Sequence, residues 1–277
     1  MGKKERKKKS IEKEISFINQ KSEPILEILK RIIASGFIKN AKPLSCLLVA
    51  PVGAGKTTNL IKLSANKNIM ALSDITPYGL TKLLPEIRAK GIKHIIIYDL
   101  VEPMSRSRSV VNNLIGFLNS LIEEGIFKIQ TGYIEVKEPI KLGLITCTTK
   151  SELIDKRRGW LGIGFISRLL PISFDFTSYD VIQILEDLAC QKVGDITYEK
   201  LKLAEKSIKE NNMVFKKLIP YATEMSNPEE KPFRKLEQLK ILLMSNALIE
   251  GRKEVTERDF EWFKSIVNYI NYNLNHL

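Results

Sequence analysis

The residues best equipped for chemistry lie in one short stretch, Ala50-Pro51-Val52-Gly53-Ala54-Gly55-Lys56-Thr57-Thr58. A small residue, four further positions, then Gly-Lys-Thr is the spacing of a phosphate-binding loop. Glycines let backbone N–H groups turn onto phosphate oxygens with no side chain in the way. Lys56 would neutralise β- and γ-phosphate oxygens, and the Thr57 hydroxyl would sit on Mg²⁺. Pro51 through Thr58 are therefore the expected nucleotide-binding set. A second contact to the metal needs an acid at the end of a buried strand. Asp99, which closes the run His94-Ile-Ile-Ile-Tyr-Asp99, fits. Only His94 and His276 are present, which leaves histidine-based metal or triad chemistry little to work with.

A phosphate loop works only between a buried strand and a helix, and the flanking pattern supplies both. Cys46–Ala50 is a short apolar run of the buried-strand type, and Lys56–Ser64 has helical spacing. Ile69–Leu72, His94–Asp99, Leu142–Thr146 and Pro171–Phe176 read as further strands, with helices over Thr76–Lys90 and Ser109–Glu124. Apolar strands separated by helices imply a parallel sheet covered on both faces. Ahead of it, residues 11–36 read as a helix with Ile15, Ile18, Ile25, Ile28 and Leu29 on one face, broken by Gly36 and Pro43. After Phe176 the pattern is helical throughout: Tyr179–Leu188, Tyr198–Glu210, Val214–Glu224, Phe233–Glu250 and Thr256–Asn273, the last opened by a Thr256/Asp259 capping pair. The expected layout is a basic arm over residues 1–10, an N-terminal helix and linker over 11–42, an α/β core over 43–177 and a helical domain over 178–277.

The chain has 277 residues, a hydrophobic fraction of 44% and no apolar run long enough to span a bilayer, which excludes an integral membrane protein as the expectation. Cys46, Cys147 and Cys190 lie far apart, so a disulfide framework or zinc site is not expected and a reducing cytoplasm is. The net charge of +12 suggests a polyanionic partner, nucleic acid first and an acidic membrane second, or else a genome's base bias. Residues 1–10 carry six Lys/Arg, among them Lys7, Lys8 and Lys9, against one Glu. Such a block is expected to be disordered, either as a phosphate-seeking arm or as a solubilising tail.

Taken together, these residues resemble the AAA+ ATPases over nearly the whole chain after residue 37. Gly55-Lys56-Thr57 looks like Walker A and His94–Asp99 like Walker B. The stretch from Leu118 through Lys128, an alternating run to Lys141, and Leu142–Thr149 are similar to the branch with a β-hairpin before sensor 1. Enhancer-binding activators, branch-migration motors and minichromosome-maintenance helicases belong to that branch. Phe127, Ile129, Ile134 and Val136 would alternate along the hairpin arms, with Gly132 near the turn. The resemblance implies a three-layer P-loop core with a helical lid, and ATP and Mg²⁺ as cofactors. It places the sensor 1 residue, usually Asn, on Thr149, with Thr148 beside it. Gly164–Pro171 looks like the arginine-finger segment, so that Arg168 would reach the γ-phosphate held by a neighbouring subunit. Arg234 would be sensor 2, reading nucleotide state for the lid.

The resemblance has one departure. Active members usually carry Glu after the Walker B Asp, to polarise the attacking water. Here the position holds Leu100, and Glu102 is the nearest alternative base. If the protein turns over little for want of that Glu, Leu100→Glu should raise turnover, and no change would place the base elsewhere. Asp74 follows the expected edge strand, too far away to serve.

Three functions follow as expectations. One is an oligomeric ATPase, ring or filament, coupled to DNA, with Lys128, Lys137 and Lys141 of the hairpin tracking a phosphate backbone. Another is a nucleotide-gated assembly protein that recruits a protein partner and turns over little. An activator is the least favoured, because no Gly-Ala-Phe-Thr-Gly-Ala-type loop lies between Asp99 and Leu142.

Overall fold

The computed structural model describes residues 16–129, 134–155, 164–190, 198–226 and 231–271. For residues 16–22, 126–129, 134–139 and 187–188 the backbone alone is described. Its centre is a five-stranded parallel sheet. The chain enters through α1 (Ser16–Ser35) and runs on through β1 (Cys46–Val49), α2 (Lys56–Ser64), β2 (Ile69–Leu72), α3 (Pro77–Ala89) and β3 (His94–Ile97). Next come the short α4 (Val101–Met104), α5 (Arg108–Ile122), and β4 (Ile126–Ile129) with β5 (Ile134–Ile140), then β6 (Gly143–Thr148) and β7 (Leu170–Ser173). The remainder holds α6 (Ser178–Ala189), α7 (Asn212–Lys216), α8 (Ile219–Glu224), α9 (Phe233–Ile249) and α10 (Glu257–Ile266).

Strand order across the sheet is β2-β3-β6-β1-β7. The chain leaves β1 for the far edge, works inward through β3 and β6, then crosses to the other side of β1. That reversal makes a crevice at the carboxyl end of β1, where open α/β sheets bind ligands. All four residues of β1 and of β3 are buried, as a strand covered on both faces requires.

Alternation divides the core in two. Leu47, Val49, Ile95, Ile97 and Leu144 face α3 and α5, meeting Leu80, Leu84, Leu114 and Leu118. Cys46, Leu48, Ile96, Ile145 and Ile172 face the other way, against Ile28 and Ile32 of α1, Leu60 of α2, Leu239 and Leu243 of α9, and Phe263 of α10. So the N-terminal helix and the C-terminal helices share one apolar cluster with the sheet. A buried polar chain pins them together: Arg31 donates to Asn246 (3.0 Å), and Asn246 donates to Asp259 (2.8 Å). Asp259 also completes the capping box with Thr256 at the start of α10. Among the described residues no helix is long and apolar enough to cross a membrane.

One expected helix is absent. Residues 198–211 run extended, not helical. Their backbone groups are satisfied from outside the segment. The Asn66 amide donates to the Glu199 carbonyl (2.7 Å) and accepts from Leu201 N–H (2.8 Å). The Asn40 amide does the same for Ile208, and Lys206 exchanges bonds with Phe37 and Lys39. Tertiary partners here outweigh the helix propensity of a Lys-, Leu- and Glu-rich segment.

The two arms of the expected hairpin are present, while Gly132, expected near the turn, lies outside the described residues. β4 and β5 pair antiparallel, with Lys128 opposite Glu135 and Ile129 opposite Ile134. The α5 helix ends at Ile122, and Gly125, at φ +84°, adopts the left-handed conformation that turns the chain into β4.

Candidate functional site

The loop between β1 and α2 turns through two glycines in the left-handed region. Gly53 and Gly55 lie at φ +79° and +75°, a region that disfavours side chains. A Cβ at either would meet nothing within 4 Å, so the loop presents open backbone. Gly55 is the N-cap of α2, and no side chain caps that end. The first-turn N–H groups therefore point outward without an intrahelical partner, which is how a helix start receives an anion. Val52, Thr57 and Thr58 are exposed, while Ala54 is buried beneath the turn, its N–H bonded to the Pro51 carbonyl (3.3 Å).

Lys56 folds across the loop and donates to the carbonyls of Ala50 (2.8 Å) and Pro51 (2.6 Å). Burial lowers its pKa, while Cys147 and Asp99 act in the opposite direction. Those two neighbours bring β6 and β3 to the loop. Asp99 lies past the carboxyl end of β3, exposed, its Oδ1 accepting from Val101 N–H (2.9 Å). Cys147 donates from Sγ to the Tyr98 carbonyl (2.7 Å) and sits beside the Thr57 hydroxyl. Burial pushes its thiol up to about 12, so it stays protonated. Lys56, Thr57 and Asp99 thus converge, an ammonium, a hydroxyl and a carboxylate at the mouth of the crevice. An exposed hydroxyl and carboxylate beside open backbone N–H groups are a fitting donor set for Mg²⁺ and a triphosphate.

Thr149 and Thr148 divide their roles. Thr149 caps the helical residues 150–155, its Oγ1 accepting from Glu152 N–H (3.3 Å) and lying 3.1 Å from Ser151 Oγ. Thr148 pairs in register with Val49 of β1, and its buried hydroxyl has no hydrogen-bond partner among the described residues. Because β6 lies between β1 and β3, that hydroxyl belongs between the loop and Asp99. Strand register, burial and hydrogen bonding thus separate it from Thr149, whose hydroxyl is engaged in the cap.

Position 100 does not face the crevice. Leu100 is buried with Val49 and Leu114, and its N–H is bonded to the Cys147 carbonyl (3.0 Å). A carboxylate there would enter an apolar cluster. Leu100→Glu should therefore lower unfolding free energy by about 3 kcal/mol or more, with no gain in turnover. Urea denaturation beside an ATPase assay checks both halves. Glu102 is exposed on α4, and Asp74 is ion-paired with Arg106.

The two candidate arginines lie at the opposite end of the sheet. Arg168 closes the turn before β7, and the first bond of that strand, Leu170 N–H to the Ser45 carbonyl (2.7 Å), lies beside the amino end of β1. Arg168 donates to the Gly164 carbonyl (2.6 Å). Arg234, in the first turn of α9, donates to Ser167 Oγ (2.6 Å), and Lys235 beside it reaches the carbonyls of Ser167 and Leu169. Both arginines approach Glu123 Oε1, Arg234 Nε at 3.0 Å and Arg168 Nε at 3.9 Å. Within one chain, neither belongs to the crevice. Arg234, expected as the sensor 2 residue, therefore stands away from the phosphate loop of its own chain. Sequence spacing carries no signal for the end of the sheet to which α9 brings its first turn.

A cavity of about 360 Å³ adjoins the loop, lined by Ala50, Pro51, Lys150, Phe174, Tyr269 and Asn271 among others. Tyr269 and Asn271 bring the C-terminal region to the crevice wall. Of the hairpin lysines, Lys141 is exposed at the root, whereas for Lys128 and Lys137 only the strand backbone is described. Lys7, Lys8 and Lys9, with the whole basic arm, lie outside the described residues. No protein-family model matches the chain, and no curated protein matches it either.

Proposed function

We propose that this chain is a phosphate-loop ATPase of the AAA+ type, working as a homo-oligomer with ATP and Mg²⁺ held between subunits. The observation that carries the reading is the division of the candidate residues between the two ends of one parallel sheet. Lys56, Thr57 and Asp99 stand at the carboxyl ends, and Arg168 and Arg234 at the amino ends. A second copy placed head to tail would bring guanidinium groups to the phosphates of the first. Such a heterologous contact closes into a ring or continues as a filament. Guanidinium forks suit the charge that develops on a transferring phosphoryl group.

In this reading the backbone of Gly53–Thr57 and Lys56 hold the phosphates, and Thr57 and Asp99 hold the metal. The Thr148 hydroxyl orients a phosphate oxygen or a water. The C-terminal helices act as the lid, with Tyr269 and Asn271 beside the nucleoside. The β4–β5 hairpin, Lys141 at its root and the +12 net charge support DNA as the polyanion to which turnover is coupled. A second reading keeps the ATP site but makes assembly, with recruitment of a protein partner, the output. Buried Leu100 favours it, since no carboxylate directly after Asp99 faces the crevice.

Subunit mixing tests the shared site. Lys56→Ala subunits keep their arginines, and Arg168→Ala subunits keep their phosphate loop. Each alone should be inactive, and a 1:1 mixture should recover about a quarter of the wild-type rate, as random head-to-tail pairing implies. No recovery in an active wild-type background would sink the shared site. ATP-driven assembly with turnover at the Lys56→Ala level would select the second reading.

A further inference from the structure

Glu123 is the meeting point of three cations from three separate segments. Lys42, in the linker before β1, donates to its Oε2 (2.6 Å), Arg234 Nε pairs with its Oε1 at 3.0 Å, and Arg168 Nε faces the same oxygen at 3.9 Å, an ion pair without a hydrogen bond. Its side chain is 16% exposed, so these contacts are shielded from solvent. Burial opposes its ionisation, but Lys42, Arg234 and Arg168 outweigh that and hold the carboxyl below its ordinary range. Three cations face one carboxylate, with Glu124 adding a weaker pull on Arg168, so the cluster carries excess positive charge. The two guanidinium groups also repel one another.

We propose that Glu123 is a positioning residue for Arg168 and Arg234, its carboxylate being the acceptor that they exchange for a nucleotide phosphate of a second copy during assembly. This rests on the shared-site reading above. Carboxylate and phosphate are alternative acceptors for the same guanidinium fork, and the phosphate brings more charge. The exchange leaves no orphan, because Lys42 remains on the other carboxylate oxygen when the arginines depart. A half-buried carboxylate stripped of every partner would be costly. Glu123 therefore orders the two arginines in the free subunit and competes for them during assembly, which sets the nucleotide concentration at which subunits join.

The sign of the effect separates this from a merely structural brace. Damage to a brace would weaken assembly, whereas removal of a competitor strengthens it. The test follows the oligomeric state of the full-length chain by sedimentation against the concentration of Mg²⁺ with a slowly hydrolysed ATP analogue. Glu123→Gln should assemble at about tenfold lower nucleotide than wild type, about the worth of one charge-assisted contact. Glu123→Asp, which keeps the charge on a shorter arm, should fall between them. If Glu123→Gln fails to fold, Glu123→Asp alone carries the test, with a threshold lowered at least twofold as the supporting result. An unchanged or raised threshold in a protein that otherwise assembles overturns this role and leaves the shared site standing. Failure of wild type and variants alike to assemble, with nucleotide bound at the loop, overturns both.

Discussion

Lys56→Ala should abolish ATP turnover and weaken triphosphate binding by about a hundredfold, the worth of one well-placed ammonium on phosphate. Lys56 folds across the loop and already lies against the Ala50 and Pro51 carbonyls at 2.8 and 2.6 Å. A phosphate in the crevice replaces those neutral acceptors with charged ones, so little reach is required of the side chain. The variant loses the charge and leaves the rest of the cradle in place, since Gly53 and Gly55 set the turn through their own backbone angles. Loss of the two carbonyl contacts should cost the free protein only about 1–2 kcal/mol. Titration with ATP and with inorganic tripolyphosphate, followed by displacement of a fluorescent nucleotide, separates the parts of the site. Tripolyphosphate engages the loop alone, so its affinity should fall as far as that of ATP. Wild-type affinity in the variant would show that the loop is not the phosphate site, and everything proposed for Thr57 and Asp99 would fall with it.

The parts of this molecule that were legible in its sequence are those whose physics is local. A strand buried on both faces must be apolar along its whole length, so β1 and β3 stood out. A loop that needs left-handed backbone must carry glycine, so Gly53 and Gly55 did too. What was not legible depends on partners distant in the chain. Residues 198–211 have a helical composition, yet Asn66 and Asn40 supply bonds to their backbone from more than a hundred positions away. Leu100 shows the same limit at a single residue. Its type was plain, but its direction into the cluster with Val49 and Leu114 follows from how the chain turns after β3. Arg168 and Arg234 are far apart in sequence and share Glu123 because α9 docks at the amino end of β7. Thr148 and Thr149 differ by one position, and only the pairing of Thr148 with Val49 places its hydroxyl inside the sheet.

The His94 ring should cost the fold about 3 kcal/mol between pH 6.5 and pH 4, and down to pH 4.5 it acts without help from the carboxylates of lowered pKa. His94 opens β3, the strand that delivers Asp99, and it is fully buried. Its Nε2 lies 3.2 Å from the Leu44 carbonyl, which can only accept, so Nε2 carries the proton. Nδ1 is then bare: among the described residues it has no partner in hydrogen-bond geometry, and the Ile32 backbone beside the ring only partly offsets burial. Glycines crowd the ring on two sides: a Cβ on Gly143 would stand 2.2 Å from its Cδ2, and one on Gly36 would stand 3.0 Å from its Cε1. The ring has no room to swing toward water and take up a second proton. Burial accordingly lowers the pKa from 6.5 to about 4. The unfolded chain binds a proton below pH 6.5 and the folded chain does not, so the stability present above 6.5 is lost as pH falls toward 4. Glu123 and Glu205 are shifted below their ordinary 4.5, so their contributions fade only under that value. The window from 4.5 to 6.5 is left to His94 among the described residues with a resolved shift. Urea midpoints at half-unit steps of pH should slope across it in wild type, and the slope should flatten in His94→Gln, whose amide can still donate to Leu44. A level wild-type profile would mean that the ring is reached by water, and that β3 is anchored at its amino end less firmly than the packing of Gly36, Gly143 and His94 implies.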